Sequence, residues 1–192
     1  ELFDKLSEPV LARGVEQIEI QHIALTYNRF DLAFKLYFLK KLQGNNEPSF
    51  AAECYKQHIG AFSDGSFKEP NNADKNSYEM FEQTFVDIAK EIKTSGFDSS
   101  KSIIPLASDG SILNGAHRSA AVLFNDKAAS VLKTDLPPRL FDFQYFKQRG
   151  VPTKMLDMAA QTFVEYDKNT FLAIVWPAAK GKEQQLNEIL PN

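Results

Sequence analysis

Ten consecutive residues carry most of the chemistry legible in this 192-residue chain: Asp109-Gly110-Ser111-Ile112-Leu113-Asn114-Gly115-Ala116-His117-Arg118. The pattern reads as a tight turn, a short strand, a glycine, and then a helix with His117 and Arg118 in its first turn. Backbone N–H groups at a helix start point outward unpaired, and the helix dipole favours negative charge there. Gly115 lets the backbone approach a ligand, Arg118 offers a planar fork for phosphate or carboxylate oxygens, and His117 adds a donor. A basic residue in a first helical turn opposes the dipole, which points to use rather than stability. The spacing therefore predicts an anion pocket suited to phosphate, held by Asn114, Gly115, Ala116, His117 and Arg118. The plain alternative is an Asn-Gly hairpin turn followed by a solvated arginine.

Other polar residues stand where they could serve such a pocket. Arg29, Asp31 and Lys35 decorate an otherwise apolar helix. Asp31 and Lys35 are spaced i,i+4 with the acid first, the favourable order for a helix ion pair. They form either a structural pair or the polar lining of a cleft, with Arg29 and Lys35 on phosphate and Asp31 as a base or metal ligand. Phosphoryl transfer needs a carboxylate to orient or deprotonate the acceptor and one to hold Mg²⁺; Asp31, Asp64, Glu69 and Asp109 are the candidates. A solvated turn explains Asp64 equally well, and Lys75 is either a substrate clamp or a loop residue. Cys54 and His58 also stand i,i+4, yet no second ligand pair has usable spacing, so no zinc site is expected. Cys54 reads as core, with Tyr55 and His58 partly exposed.

The elements that must position these residues follow from periodicity. Asn28 to Leu42 reads as a helix apolar nearly all round, followed by a break at Gly44-Asn45-Asn46 and a helix from a Ser49 cap to about Ala61. A polar stretch from Ser63 to Asn76 is the longest loop candidate. Tyr78, Phe81, Phe85, Ile88 and Ile92 mark a third helix, capped by Asn76 or Ser77 and ended by Gly96. Strands are expected over Ser102–Ala107, Ser111–Leu113 and Ala129–Leu132, with a helix from Gly115 to Phe124 between the last two. Asp142 caps a short helix ending at Gly150, and Thr153 starts another reaching Tyr166. A strand over Thr170–Trp176 and a helix over Glu183–Leu190 complete the reading. The pattern predicts α/β or α+β, one domain, with a mainly helical part (1–97) and a small mixed sheet with helices (98–192).

Composition narrows the function classes. Apolar residues make up 43% and charged residues 24%, which excludes a disordered tail, a fibrous repeat and a coiled coil. A net charge of −3 provides no global positive field for nucleic acid or an anionic membrane. No stretch reaches the roughly 18 apolar residues of a membrane span. The single cysteine excludes a disulfide framework and fits a reducing compartment, so a cytoplasmic protein is expected. Glu1 to Pro9 lacks the features of a signal peptide, and the missing initiator methionine suggests a processed chain or a part of a larger protein.

The run from Ile104-Pro105-Leu106 through Asp109–Arg118 to Ser119-Ala120-Ala121 resembles the nucleotide-binding motif of the ParB/sulfiredoxin superfamily, in which a strand leads into a helix whose start grips nucleotide phosphates. That resemblance covers about Ser102 to Lys133. It implies a ParB/sulfiredoxin-like core, bound ATP or another nucleotide with Mg²⁺, and phosphate contacts from Asn114, Gly115, His117 and Arg118. Two departures shape the expectation. Sulfiredoxins carry a catalytic cysteine between the glycine and the histidine, where this chain has Ala116, and no helix-turn-helix of the ParB kind follows the motif. A second likeness, to domains of surface-polysaccharide gene products, rests on Arg29–Lys35 together with Asn114–Arg118. The resulting expectation is a nucleotide-dependent phosphotransferase acting on a small metabolite such as a sugar or amino acid. The alternative is a non-catalytic nucleotide or phospho-sugar binding module of a larger polysaccharide-biosynthesis protein.

Overall fold

The structure, a computed structural model, describes residues 18–44, 48–68, 76–167, 170–171, 181–182 and 185. Among these residues the chain forms β1 (Ile18–Gln21), α1 (Asp31–Gly44), α2 (Pro48–Phe62), α3 (Tyr78–Ser95), β2 (Ile104–Leu106), α4 (Ala116–Phe124), β3 (Ala129–Lys133), α5 (Phe143–Gln148) and α6 (Thr153–Tyr166). The fold is mixed, six helices with a small three-stranded sheet of order β1-β3-β2. β1 pairs antiparallel with β3, and β2 pairs parallel with it, Ile104 opposite Val131. Because β2 and β3 run parallel, the chain must cross over between them, and α4 is that crossover. The expected strand over 170–176, the closing helix over 183–190, Glu69 and Lys75 lie wholly or mostly outside the described residues.

α1 is the centre of the molecule. Every residue from Asp31 to Leu39 is buried, as an all-round apolar helix must be, and α2, α4 and α6 pack around it. The helix begins at Asp31 rather than Asn28 because the preceding residues are used otherwise. Arg29 N–H closes a turn onto the Thr26 carbonyl, Arg29 bridges to Phe141, and the Asn28 amide donates to Asp109 and Ser111. α2 begins at Pro48, whose locked φ suits the first helical position, so Ser49 lies inside the helix rather than capping it. α3 buries Phe81, Phe85, Ala89 and Ile92; the Ser77 hydroxyl caps it at Met80 N, and Gly96 ends it.

β2 is shorter than expected, and the arm over 111–113 joins it only through a bridge between Leu106 and Ile112. Pro105 is tolerated because β2 lies at the edge of the sheet. β1 was not anticipated. It is four residues long, too short for its alternation to stand out, and its Ile20 is 78% exposed.

The core is aromatic. Phe38 stacks on Tyr55 at 4.8 Å and on Phe85 at 5.9 Å, joining α1, α2 and α3 through one fully packed ring. Phe34 meets Phe30, Phe146 and His58 at 5.2–5.7 Å, tying α1 to α2 and α5. Phe38→Ala should therefore cost about 3–5 kcal/mol, the usual range for removing a buried ring. Urea unfolding checks this, and a loss below about 1 kcal/mol would show that Phe38 does not join the three helices as described.

Candidate functional site

The start of α4 is built by a short hairpin. Ala107 N–H donates to the Ser111 carbonyl at 2.8 Å, and Leu113 N–H to the Pro105 carbonyl at 2.8 Å. Asp109 organises the turn: its Oδ1 accepts from Ser111 N (2.9 Å) and Ser111 Oγ (2.6 Å), and its Oδ2 accepts from the Asn28 amide (2.9 Å). Those hydrogen bonds hold its carboxyl below the usual value. Asp109 thus acts as a turn residue and does not line the cleft described below.

The hairpin delivers the chain to Gly115, which adopts the left-handed conformation at φ +81° and starts α4 with no side-chain cap. The Asn114 Oδ1 accepts from Gly115 N at 2.7 Å, so Asn114 closes the corner. A Cβ at Gly115 would lie 3.8 Å from Arg118 Nε and 3.9 Å from Nη2. The Arg118 guanidinium is therefore folded over the glycine at the start of α4. A planar cation and a helix start are each favourable surroundings for phosphate oxygens.

This point opens into a cleft of about 800 Å³. Its walls are α1, the end of α2 with Ser63 and Lys68, the Phe81–Ile88 face of α3, the start of α4, and the segment carrying Arg139, Phe141 and Tyr145. Arg29, Lys35 and Arg118 all line it, so the sequence-predicted cations do converge. Among its described lining residues five are cationic (Arg29, Lys35, Lys68, Arg118, Arg139), and Asp31 is the sole carboxylate. A chain of net charge −3 thus carries a locally positive cleft. Asp64 is exposed and lines a separate depression with Gln57, Gly60 and Arg149.

The cleft floor is a buried polar network. Arg29 grips Asp31 with two parallel bonds, Nε to Oδ1 at 2.8 Å and Nη2 to Oδ2 at 3.0 Å, and its Nη1 donates to the Ile112 carbonyl. Lys35 Nζ donates to Asp31 Oδ2 at 3.1 Å and to His58 Nε2 at 3.0 Å. All four residues are at most 3% exposed. Burial alone would raise the Asp31 carboxyl, but Arg29 and Lys35 outweigh it and hold the group well below the usual carboxylate range. Asp31 is thus the counter-ion that Arg29 and Lys35 share in the floor. Burial pushes the Lys35 amine down to about 8 against the pull of Asp31, and Lys35 directs its donors inward. Arg29 and Lys35 thus supply positive potential beneath the cleft, while Arg118, Arg139 and Lys68 line it from other segments.

His58 and Tyr55, expected to be partly exposed, are both fully buried. The reason is Lys35: an ammonium donating to Nε2 requires a neutral imidazole and gives this ring a purpose in the core. Its Nδ1 makes no hydrogen bond of ordinary geometry, only a weak approach to the Tyr55 carbonyl. Cys54 is buried as expected, and burial pushes its thiol up to about 11. Among the described residues no group of three or more His, Cys, Asp or Glu side chains could hold a metal ion, and no helix is long and apolar enough to cross a membrane. For Mg²⁺ the described cleft offers only the Asp31 carboxylate, already shared between two cations. Sequence reasoning missed Arg139, which follows a Pro-Pro pair with no periodicity to mark it, and Lys68.

Two outcomes follow. Burial, with Lys35 beside it, holds His58 well below its ordinary value of 6.5, so below that pH the unfolded chain takes up a proton that the folded one refuses. Stability should fall on acidification by up to about 1.4 kcal/mol per pH unit from this group. His58→Gln keeps an acceptor for Lys35 and should flatten the slope; urea titrations between pH 7 and 5 read it, and an unchanged slope would assign the acid sensitivity elsewhere. Gly115→Ala meets only ordinary contacts but must hold a positive φ, so it should lose about 1–2 kcal/mol in the same assay.

The chain shows no significant match to any protein-family model, curated protein or solved structure, and its function is therefore argued from this cleft.

Proposed function

We propose that the cleft binds the phosphate groups of a nucleotide or a phosphorylated sugar, with the phosphates at the start of α4 under Arg118. The observation that carries this reading is the Arg118 guanidinium folded over left-handed Gly115 at an uncapped helix start, inside a cleft where Arg139 and Lys68 add charge. The volume suits such a ligand, since small-molecule sites span roughly 300–1,000 Å³. Phe81, Phe141, Tyr145 and Ile88 give the cleft an apolar side for a base or sugar ring. The resemblance of Asp109–Arg118 to the ParB/sulfiredoxin nucleotide motif supports the same placement.

Transfer of the phosphoryl group to a small acceptor and binding without chemistry both begin with this complex. Binding alone is favoured by one feature: the described lining has no carboxylate besides Asp31, and Asp31 is held ionised between Arg29 and Lys35. The cations would then neutralise the phosphates directly, without Mg²⁺. Transfer would draw its acceptor carboxylate from Glu69, which lies outside the described residues.

Thermal unfolding with ATP, CTP, GTP and UDP-sugars, with and without Mg²⁺, tests the proposal. A ligand at 100 times its Kd should stabilise the chain by about 2.7 kcal/mol. Arg118→Ala removes a charge-assisted pair of roughly 1.5–3 kcal/mol and should raise Kd about 10- to 100-fold. A shift that survives in Arg118→Ala, or none with any nucleotide or sugar phosphate, would dismiss this placement. A product formed with a panel of sugar and amino-acid acceptors would decide for transfer.

A further inference from the structure

Asn28 does not line the cleft, yet it is bonded to both of the segments that bring Arg118 and Arg139 to it. Its side-chain Nδ2 donates to Asp109 Oδ2 at 2.9 Å and to Ser111 Oγ at 3.1 Å, at the turn of the hairpin that runs on to Gly115 and Arg118. A carboxylate only accepts, so the amide nitrogen faces Asp109. The amide oxygen accepts from the Thr26 hydroxyl at 2.6 Å. Ser111 Oγ gives its own proton to Asp109 Oδ1 at 2.6 Å and so receives from Asn28. The main-chain carbonyl of Asn28 reaches a different segment, accepting Phe141 N–H at 2.8 Å, two residues past Arg139. Arg29 reinforces both ties, donating to the Ile112 carbonyl and bridging to Phe141, but its guanidinium also grips Asp31 in the floor. Asn28 is the tie that can be cut without touching the floor.

We propose that Asn28 is a positioning residue of the anion site: its side-chain amide holds the hairpin that leads to Arg118, while its main-chain carbonyl holds the segment that carries Arg139. One residue then fixes where these two cations stand relative to each other. This role rests on the phosphate reading above. The groups of a binding site must be held to within about 0.5 Å of the productive arrangement by the residues behind them. Arg139 stands in neither a helix nor a strand, so its place depends on tethers of this kind. The hairpin likewise joins the sheet only through the bridge between Leu106 and Ile112.

Asn28→Asp keeps the size of the side chain but sets a second carboxylate against Asp109. Combining it with Asp109→Asn exchanges the two groups, so that an amide again faces a carboxylate. Assigned ¹H–¹⁵N spectra of the full chain read the hold without any ligand. In Asn28→Asp the backbone amides of both Gly115 and Arg139 should shift, and in the exchanged pair both should return toward wild type. Titration with ATP and with inorganic pyrophosphate should show Kd rising about three- to tenfold in Asn28→Asp, the range for one hydrogen bond, and recovering in the exchanged pair. Asn28→Ala removes the donors without adding charge, should raise Kd in the same way, and takes the place of Asn28→Asp if that variant does not fold. Amides of Gly115 or Arg139 that stay in place overturn the proposal whatever the ligand does. A loss of affinity that the exchange does not restore also overturns it, because the effect would then be a general loosening. Wild-type binding with an unchanged Kd in the variants overturns the role of Asn28 and leaves the phosphate reading standing. The expected shifts and recovery with no affinity for either probe would confirm the hold of Asn28 on both segments and overturn its role in anion binding together with the reading beneath it.

Discussion

The structure depends on keeping four polar side chains out of water in the middle of an aromatic core. Asp31, Arg29, Lys35 and His58 could not be buried singly, since an isolated charge in such surroundings is prohibitively unfavourable. Together they satisfy one another: a bidentate grip from Arg29 to Asp31, a bond from Lys35 to the same carboxylate, and a neutral ring accepting the second ammonium proton. The members come from three places in the fold: Arg29 before α1, Asp31 and Lys35 on α1, and His58 on α2. Arg29 extends the network to the hairpin through the Ile112 carbonyl. The network consequently fixes the register between the central helix, its neighbour and the arm that leads into α4. Buried ion pairs are often no more stabilising than apolar replacements. Their contribution here is geometric, because the bonds linking Arg29, Asp31, Lys35, His58 and the Ile112 carbonyl join α1, α2 and the hairpin to one another.

Aromatic packing makes that arrangement stiff. Phe34 stacks on His58 at 5.2 Å, Phe62 meets His58 edge-on at 5.3 Å, and the Lys35 ammonium lies 5.6 Å from the centre of the Phe62 ring. On the other side Arg29 lies 5.3 Å from the Phe141 ring centre. The abundance of phenylalanine, sixteen in the chain, thus reflects more than bulk burial. Ring faces carry negative charge that complements the cations, and ring edges fill the space that water would otherwise occupy around them.

What could be read in the sequence was local. Gly115 followed by a helix needs only neighbouring residues to be recognised, as do the Ser77 and Asp142 caps and the Gly96 stop. The all-round apolar α1 announced its central place in the same way. What could not be read depends on partners far along the chain. Nothing near His58 indicates that Lys35, 23 residues earlier, will donate to it, so its burial is invisible in its own surroundings. Asp109 resembles a candidate base until the Asn28 amide, 81 residues away, is seen to hold its second oxygen. Arg139 joins the cleft because Phe141 N–H bonds to the Asn28 carbonyl, a tether between segments with no pattern in common. β1 is four residues long, and its strand character resides in its pairing with β3 rather than in a buried stripe of its own.

The division of labour among the cations follows from the same constraint. A charge that must hold the fold together has its donors committed inward and cannot reorient toward a ligand without breaking the network. Arg29 and Lys35 are in that position, and their effect on the cleft is a steady positive potential in a region of low dielectric, where potential is felt most strongly. Arg118, Arg139 and Lys68 stand nearer solvent, on the helix start and two connecting segments. Structural charges below and more exposed charges at the rim together make the described lining of the cleft predominantly positive. Asp31, held between two cationic neighbours, is the one carboxylate among the described lining residues and offsets part of that positive charge.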